Sequence, residues 1–424
     1  MLARLISIFE RSRLLQLFVV TACIQGGVII SQFLIAPFVD PSVVGVVRSL
    51  ETVIALVVLG GSLGMQSIAI RDTAACSEER AQHAVLRHVF VLVGITSAVV
   101  ILGIFVAHEF LLTSAISSYV FMTCGLVLFT NLLRVTTGYA QGAKAINEIY
   151  LALMFVTAAG VVLHVVLTRL YGIQGWMAAR YCTEVLCLAA VWWRLRSHIF
   201  PALNLFDVKR RELIAAAGSG VTINASLFVR LLVDSLPVLM FTALHVRTDD
   251  IGFFGLAILS LVLGLLPLAI IAQRAIPDLV EVLEDSALLA AKFHVFLKSM
   301  VRVSSAMTVV LVIAAAGWWL LIGGQYEMTA KYVLILALSL PLKAIVLACG
   351  TMLVALRVFG LSLKVNILEG LLVVLILFFG IPILGGWAGV VAYLAGTLLS
   401  LVLLLTAVKV RLAELQRNSD HAEK

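Results

Sequence analysis

Polar residues in this chain fall into short clusters separated by long apolar runs, and the spacing of the clusters is the first thing the sequence gives. A helix needs about 20 apolar residues to cross roughly 30 Å of hydrocarbon. Twelve runs meet that requirement, over 14–36, 43–70, 89–108, 116–140, 148–168, 175–194, 213–241, 251–272, 300–322, 331–356, 362–380 and 386–408. The pattern predicts an all-α polytopic membrane protein with twelve transmembrane helices. The first run follows Arg4, Arg11 and Arg13 and has no small-x-small cleavage site after it, so it reads as an uncleaved signal-anchor helix with its start inside.

Composition sharpens this picture. Of 424 residues, 62% are apolar and 12% charged, and mean hydropathy is +1.13, which leaves no stretch for a separate soluble domain. The formal charge of +7 is topological rather than a nucleic-acid signature. On the twelve-span layout, 21 of the 30 basic residues fall on the side of the N-terminus, while only Arg169 and Arg247 fall opposite. Both termini are therefore expected in the cytoplasm, as in a bacterial inner-membrane protein. The outer connections are too short for a catalytic domain. No nucleotide-binding loop, HExxH, nucleophile elbow or Cys/His ligand cluster occurs, so neither an enzyme nor a metal site is expected.

The chain also repeats at half length. Val44-Gly45 at the second span matches Ile251-Gly252 at the eighth, 207 positions on, and Gly172-Ile173-Gln174-Gly175 before the sixth matches Gly386-Trp387-Ala388-Gly389 before the twelfth, 214 on. Six spans repeating as six share one orientation, which implies lobes related by a pseudo-two-fold axis along the membrane normal. The expected division is 1–193 for the first lobe, 194–212 for a linker on the inner surface, 213–408 for the second lobe and 409–424 for a tail.

Ionisable groups inside the spans are the candidate chemistry, because each costs about 2.5–3.5 kcal/mol at membrane depth on insertion scales. Three come as local pairs at helical spacing: Arg48 with Glu51, Arg180 with Glu184, and Arg230 with Asp234. Two readings stay open: structural ion pairs neutralised within one helix, or groups lining a wet cavity. Arg134 and Lys343 have no acid three or four residues away and stand 209 positions apart, close to the repeat spacing. Arg134 also reads as a side chain snorkelling to the surface. The bases Arg48, Arg134, Arg180, Arg230 and Lys343 outnumber Glu51, Glu184 and Asp234, and such a cavity suits an anionic head group such as a diphosphate. Asp234, ahead of the helix-kinking Pro237, is the first candidate for coupling to Na+ or H+, with Glu51 and Glu184 beside it. Glu369 reads as interfacial, and His164 as a packed neutral side chain.

Val43-Val44-Gly45-Val46 with Gly60 to Gly64, Gly138-Tyr139-Ala140-Gln141-Gly142, Tyr171-Gly172-Ile173-Gln174-Gly175, and Asp249-Asp250-Ile251-Gly252-Phe253-Phe254 after Asp234 together resemble the bacterial polysaccharide repeat-unit flippases of the multidrug/oligosaccharidyl-lipid/polysaccharide (MOP) superfamily. The resemblance covers essentially the whole chain and rests on loose patterns. It implies translocation of undecaprenyl-diphosphate-linked oligosaccharide, such as an O-antigen unit of lipopolysaccharide, between leaflets by alternating access of two bundles. It implies membrane lipids and the lipid-linked substrate as partners, with polysaccharide polymerase and chain-length machinery downstream, and no nucleic acid. Phe and Leu replace more usual polar residues in the eighth span, which leaves sugar selectivity open. The competing class is a cation-coupled multidrug antiporter of the same superfamily, which calls for a cavity dominated by acids. A membrane polymerase or glycosyltransferase fits less well.

Overall fold

A computed structural model describes residues 19–20, 23, 26–76, 78–111, 117–202, 210–283, 285–356 and 358–422. The expected start of the signal anchor, the linker stretch 203–209 and the last two tail residues lie outside the described residues. Among the described residues every regular element is helical: α1 Gly27–Ile35, α2 Pro41–Ser62, α3 Met65–Ala75, α4 Glu79–Leu111, α5 Ser117–Met122, α6 Cys124–Gly142, α7 Ile146–Arg194, α8 Arg196–Ala202, α9 Arg210–Ala243, α10 Thr248–Val280, α11 Ser286–Ile322, α12 Glu327–Ala337, α13 Leu340–Ala355, α14 Phe359–Leu384 and α15 Trp387–Ala422. Two short 3₁₀ turns, Ala36–Phe38 and Gly323–Tyr326, flank α2 and α12. Among the described residues, seven helices are individually long and apolar enough to cross a membrane, and an eighth span forms if the bent pair around α12 and α13 is counted as one. Large apolar side chains face outward, among them Leu102, Phe155, Leu320 and Ile383, the last two more than four-fifths exposed. This is the pattern of a multi-pass membrane protein solvated by lipid, where helices associate through close packing more than through apolar burial.

Several expected single spans are broken, each at an identifiable residue. The second span divides into α2 and α3 where Leu63 and Gly64 take φ of 42° and 71°. The tenth bends by 50° between α12 and α13, with Pro341 in the first turn after the break, where a missing N–H is harmless. The 49-residue α7 is two antiparallel arms. They fold back at Gly172, whose φ of 59° and ψ of −135° are open only to glycine. Gly160 of the first arm lies against Thr183 of the second, and the rings of His164 and Trp176 face each other 6.3 Å apart.

The same backbone device recurs between α14 and α15, where Gly385 has φ 55° and ψ −131°. The repeat read from the sequence is therefore off by one residue at this corner: Gly172 corresponds to Gly385, not Gly386. The pairs packed across the two corners then swap sizes, since Gly160 with Thr183 in the first arm pair becomes Val373 with Gly396 in the second.

The chain forms two compact units, one of Met1–Val39 and Ser49–Leu231, the other of Asp40–Arg48 and Leu232–Lys424. In the first, Tyr139, Ile149, Leu153, Val191 and Leu195 form a closed core, and Gly138 and Gly142 let α6 meet the backbone of α3 at Gln66 and Ile70. This GxxxG spacing puts two bare Cα atoms one turn apart on the contact face. In the second, one core centres on Phe241, Phe254, Tyr332 and Leu377 and another on Leu268, Met300, Cys349 and Met352. Gly45, at the start of α2, meets Gly252 of α10 backbone to backbone, and the stem of Arg48 lies on Gly255. Residues 45 and 252, like 48 and 255, are 207 apart, so the repeat match singled out from sequence is a helix crossing that a side chain at either glycine would block.

Candidate functional site

Each unit holds a buried base–acid cluster. In the first, Arg180 on the second arm of α7 donates through Nε to Glu51 Oε1 of α2 at 3.0 Å and through Nη1 to Glu184 Oε1, one turn along its own helix. All three side chains are nine-tenths buried or more. The local pair Arg180–Glu184 forms as its spacing predicts. Glu51, expected to pair with Arg48 on its own helix, reaches Arg180 on another.

Next to this cluster is a pocket large enough for a water molecule, lined by Gly27, Leu133, Thr157, His164, Arg180 and Glu184 among others. Glu184 Oε2 and His164 Nε2 are both buried and both lack a hydrogen-bond partner. His164 Nδ1 sits 2.7 Å from the carbonyl of Gly160. A carbonyl only accepts, so the ring hydrogen is on Nδ1 and Nε2 is left with a lone pair. A pocket lined by a carboxylate with an unsatisfied oxygen and an imidazole with a lone pair has chemistry suited to holding a water, a proton or a small cation. Arg134 of α6 is half-buried and close enough to act electrostatically on Glu184 and Arg180. The sequence reading had treated His164 as packing. It is packed, but it lines the same pocket as Glu184 and has one unpartnered nitrogen.

In the second unit Lys343 of α13 lies 3.4 Å from Glu369 Oε1 of α14, and Ser400 of α15 donates to Glu369 Oε2 at 2.6 Å. The ammonium also sits 4.5 Å from the centroid of the Tyr393 ring, a cation–π contact. Two expectations are corrected here. Lys343 is not an uncompensated charge, because an acid 26 residues away on another helix neutralises it. Glu369 is not interfacial: its side chain is 3% exposed, fixed by that lysine and serine.

The remaining candidates are less buried. Arg48 is half-buried over Gly255, Arg230 is half-buried, and Asp234, one turn further along α9, is exposed. Arg230 belongs to the first compact unit and Asp234 to the second. A further grouping escaped the sequence reading altogether. Glu79 and His83 of α4 and His198 of α8 bring one ligand atom each to within 4.8 Å of one another. Its only sequence signal is the i, i+4 spacing of Glu79 and His83, since His198 is more than a hundred residues away.

Neither a family model nor a curated protein sequence matches the chain. Solved structures do. An inward-facing multidrug resistance MATE family transporter of the MOP superfamily superposes with a TM-score of 0.78 at 14% identity, covering 95% of this chain and 99% of that one. An outward-facing transporter of the same description gives 0.68 at 13%, covering 95% of each. A MOP superfamily transporter from Pyrococcus furiosus, described as having a binding pocket of reversed polarity that suggests a different function, also gives 0.68 at 13% with 95% of each chain. The chain thus has the MATE-like fold of MOP superfamily transporters, in which twelve helices form two lobes. These neighbours are transporters, not enzymes.

Proposed function

We propose that this protein is an ion-coupled transporter in which Glu184 is the coupling carboxylate, and that its substrate is an anionic lipid-linked oligosaccharide moved from the cytoplasmic to the outer leaflet. The observation that carries the coupling is a buried carboxylate with one bare oxygen, Glu184, on a small pocket that His164 also lines. Arg180 is shared by two acids, so the three buried groups sum to one negative charge when both acids are ionised. A bare carboxylate oxygen at membrane depth is costly, and capture of H+ or Na+ relieves the cost. Release restores a full claim of Glu184 on its guanidinium partner. This exchange gives the pocket two states of different charge, which an alternating-access cycle can bias. Glu184 takes precedence over Asp234 as the leading coupling group because it is buried with a bare oxygen on a pocket, whereas Asp234 is exposed.

For the substrate, Arg134 is the supporting residue: a half-buried guanidinium suited to a phosphate oxygen pair. Arg48 and Arg230 add positive charge along α2 and α9. With Glu369 counted, the five bases exceed the acids Glu51, Glu184, Asp234 and Glu369 by one. Neutralisation of Arg180 and Lys343 within the bundle favours a second reading, multidrug antiport, since it removes two of the five charges on which an anion site would rest.

Reconstituted protein in proteoliposomes tests both. Under an imposed proton or sodium gradient, flipping of a polyprenyl-diphosphate-linked oligosaccharide is expected, and it should fall with Arg134→Ala and recover partly with Arg134→Lys. Gradient-driven movement of a lipophilic cationic dye with no effect on the lipid-linked sugar would establish the second reading instead.

A further inference from the structure

The Glu79, His83 and His198 cluster lies outside the transport site, and nothing in the coupling scheme uses it. Glu79 and His83 stand one turn apart at the start of α4, so both side chains leave the same face of the helix. His198 reaches them from α8, the seven-residue helix that leads towards residues 203–209. Glu79 Oε1 is 3.7 Å from His83 Nε2 and 3.5 Å from His198 Nδ1. The two imidazoles meet edge to face with centroids 6.0 Å apart, and the Tyr139 ring backs His198 at the same distance.

The nitrogens decide what the cluster is for. His83 Nε2 and His198 Nδ1 are both buried atoms with no hydrogen-bond partner, although each points at the same carboxylate oxygen. A pair of ordinary hydrogen bonds would close to about 2.7–3.0 Å. Separations of 3.5–3.7 Å are instead close to the edge of a tetrahedron whose centre lies about 2.0–2.2 Å from each donor atom, the bond lengths of a zinc-class ion to imidazole and carboxylate. Two imidazoles and one carboxylate suit a borderline divalent transition metal and not Ca2+ or Mg2+, which prefer all-oxygen shells. Glu79 is 64% exposed while the histidines are largely covered, so an ion has an open approach and one vacant coordination position. Arg87, a turn beyond His83, acts on it electrostatically and opposes the ion. The net charge of the three ligands with neutral imidazoles remains −1.

We propose that Glu79, His83 and His198 form a binding site for a zinc-class divalent ion that staples α8 to the start of α4. The ion would hold the short helix α8 against the start of α4 within the first compact unit. The alternative use of the same geometry is a protonated histidine paired with Glu79, which needs no metal.

The experiment uses tag-free full-length protein in detergent, titrated with Zn2+ alone by calorimetry, with hydrogen exchange followed over 196–202. Saturable binding of one Zn2+ per chain is expected, lost in both His83→Ala and His198→Ala, weakened in Glu79→Gln and unchanged in His294→Ala. Exchange in α8 should slow with Zn2+ in the parent only. Glu79→Gln changes an exposed side chain and serves as the folded control if a histidine variant proves unstable. Absence of saturable binding, or binding that survives all three ligand substitutions, overturns the site and leaves the ion-pair account. Stoichiometric binding without slower exchange in α8 overturns the staple.

Discussion

The Arg180 cluster of the first unit and the Lys343 cluster of the second are built from similar parts and finished differently. Arg180 answers two carboxylates and leaves one oxygen bare beside a pocket. Lys343 meets Glu369, whose two oxygens are both held, by the ammonium and by Ser400. The first cluster keeps one carboxylate oxygen bare and the second keeps none on Glu369. With Gly172 set on Gly385, Arg180 falls at the position of Tyr393 and Glu184 at that of Thr397, so the later half has an aromatic ring and a hydroxyl where the earlier has a base and an acid. The repeat thus preserves the helix frame while moving the charges. A carboxylate held at both oxygens fixes packing, whereas one with a bare oxygen has room for a proton or an ion. On the proposed function, the earlier half would carry coupling and the later half would supply rigidity.

The largest effect should come from breaking the Lys343–Glu369 pair. Glu369→Ala strands a buried ammonium and leaves Ser400 without its acceptor, and removal of one partner of such a pair costs about 3–5 kcal/mol. Purified Glu369→Ala is expected to melt well below the parent, with Lys343→Ala somewhat less affected because the stranded carboxylate keeps Ser400. The double change Lys343→Met with Glu369→Leu should regain most of the loss, since an apolar pair needs no desolvated charge. If Glu369→Ala melts like the parent, the second cluster is not the rigid element that the comparison requires.

A middle-sized effect tests the frame that the halves share. Gly172 and Gly385 occupy nearly the same unusual backbone state, and a Cβ at either would touch nothing within 4 Å. The cost of Gly172→Ala and of Gly385→Ala is therefore purely conformational, roughly 1–3 kcal/mol each. Equal losses in thermal melting are expected. A large inequality would show that the two corners are equivalent in backbone but not in the strain that their hairpins bear.

How far the sequence could reach follows from these particulars. The helices were legible because crossing hydrocarbon demands long apolar runs, and the runs survive any detail of packing. The corner glycines were legible as a repeat, with a one-residue slip that only the φ and ψ of Gly385 reveal, because Gly385-Gly386 offers two candidates. Arg180 with Glu184 was legible because one helix sets their spacing. Glu51 with Arg180 and Lys343 with Glu369 were not, since neighbours on different helices carry no fixed spacing, and the short-range rule pointed Glu51 at Arg48. His164 looked inert because its sequence surroundings are apolar, and its unpartnered nitrogen becomes meaningful only on a pocket that Glu184 also lines. His83 and His198 likewise meet only through the return of α8 to α4.

The smallest change in stability should accompany the most informative change in transport. Glu184→Gln keeps an oxygen able to accept from Arg180 and keeps the volume of the side chain, so it leaves Arg180 held by the amide and by Glu51. Its melting temperature should stay near that of the parent, with a difference under about 1 kcal/mol, the net worth of an ordinary hydrogen bond. Coupling should nevertheless fail, because an amide neither releases a proton nor competes for a small cation. In proteoliposomes Glu184→Gln is expected to equilibrate substrate without responding to an imposed proton or sodium gradient, while Asp234→Asn keeps the response of the parent. The reverse outcome, a gradient response that survives Glu184→Gln and vanishes in Asp234→Asn, would move coupling out of the first cluster, and the bare oxygen of Glu184 would then mark a site for a structural water.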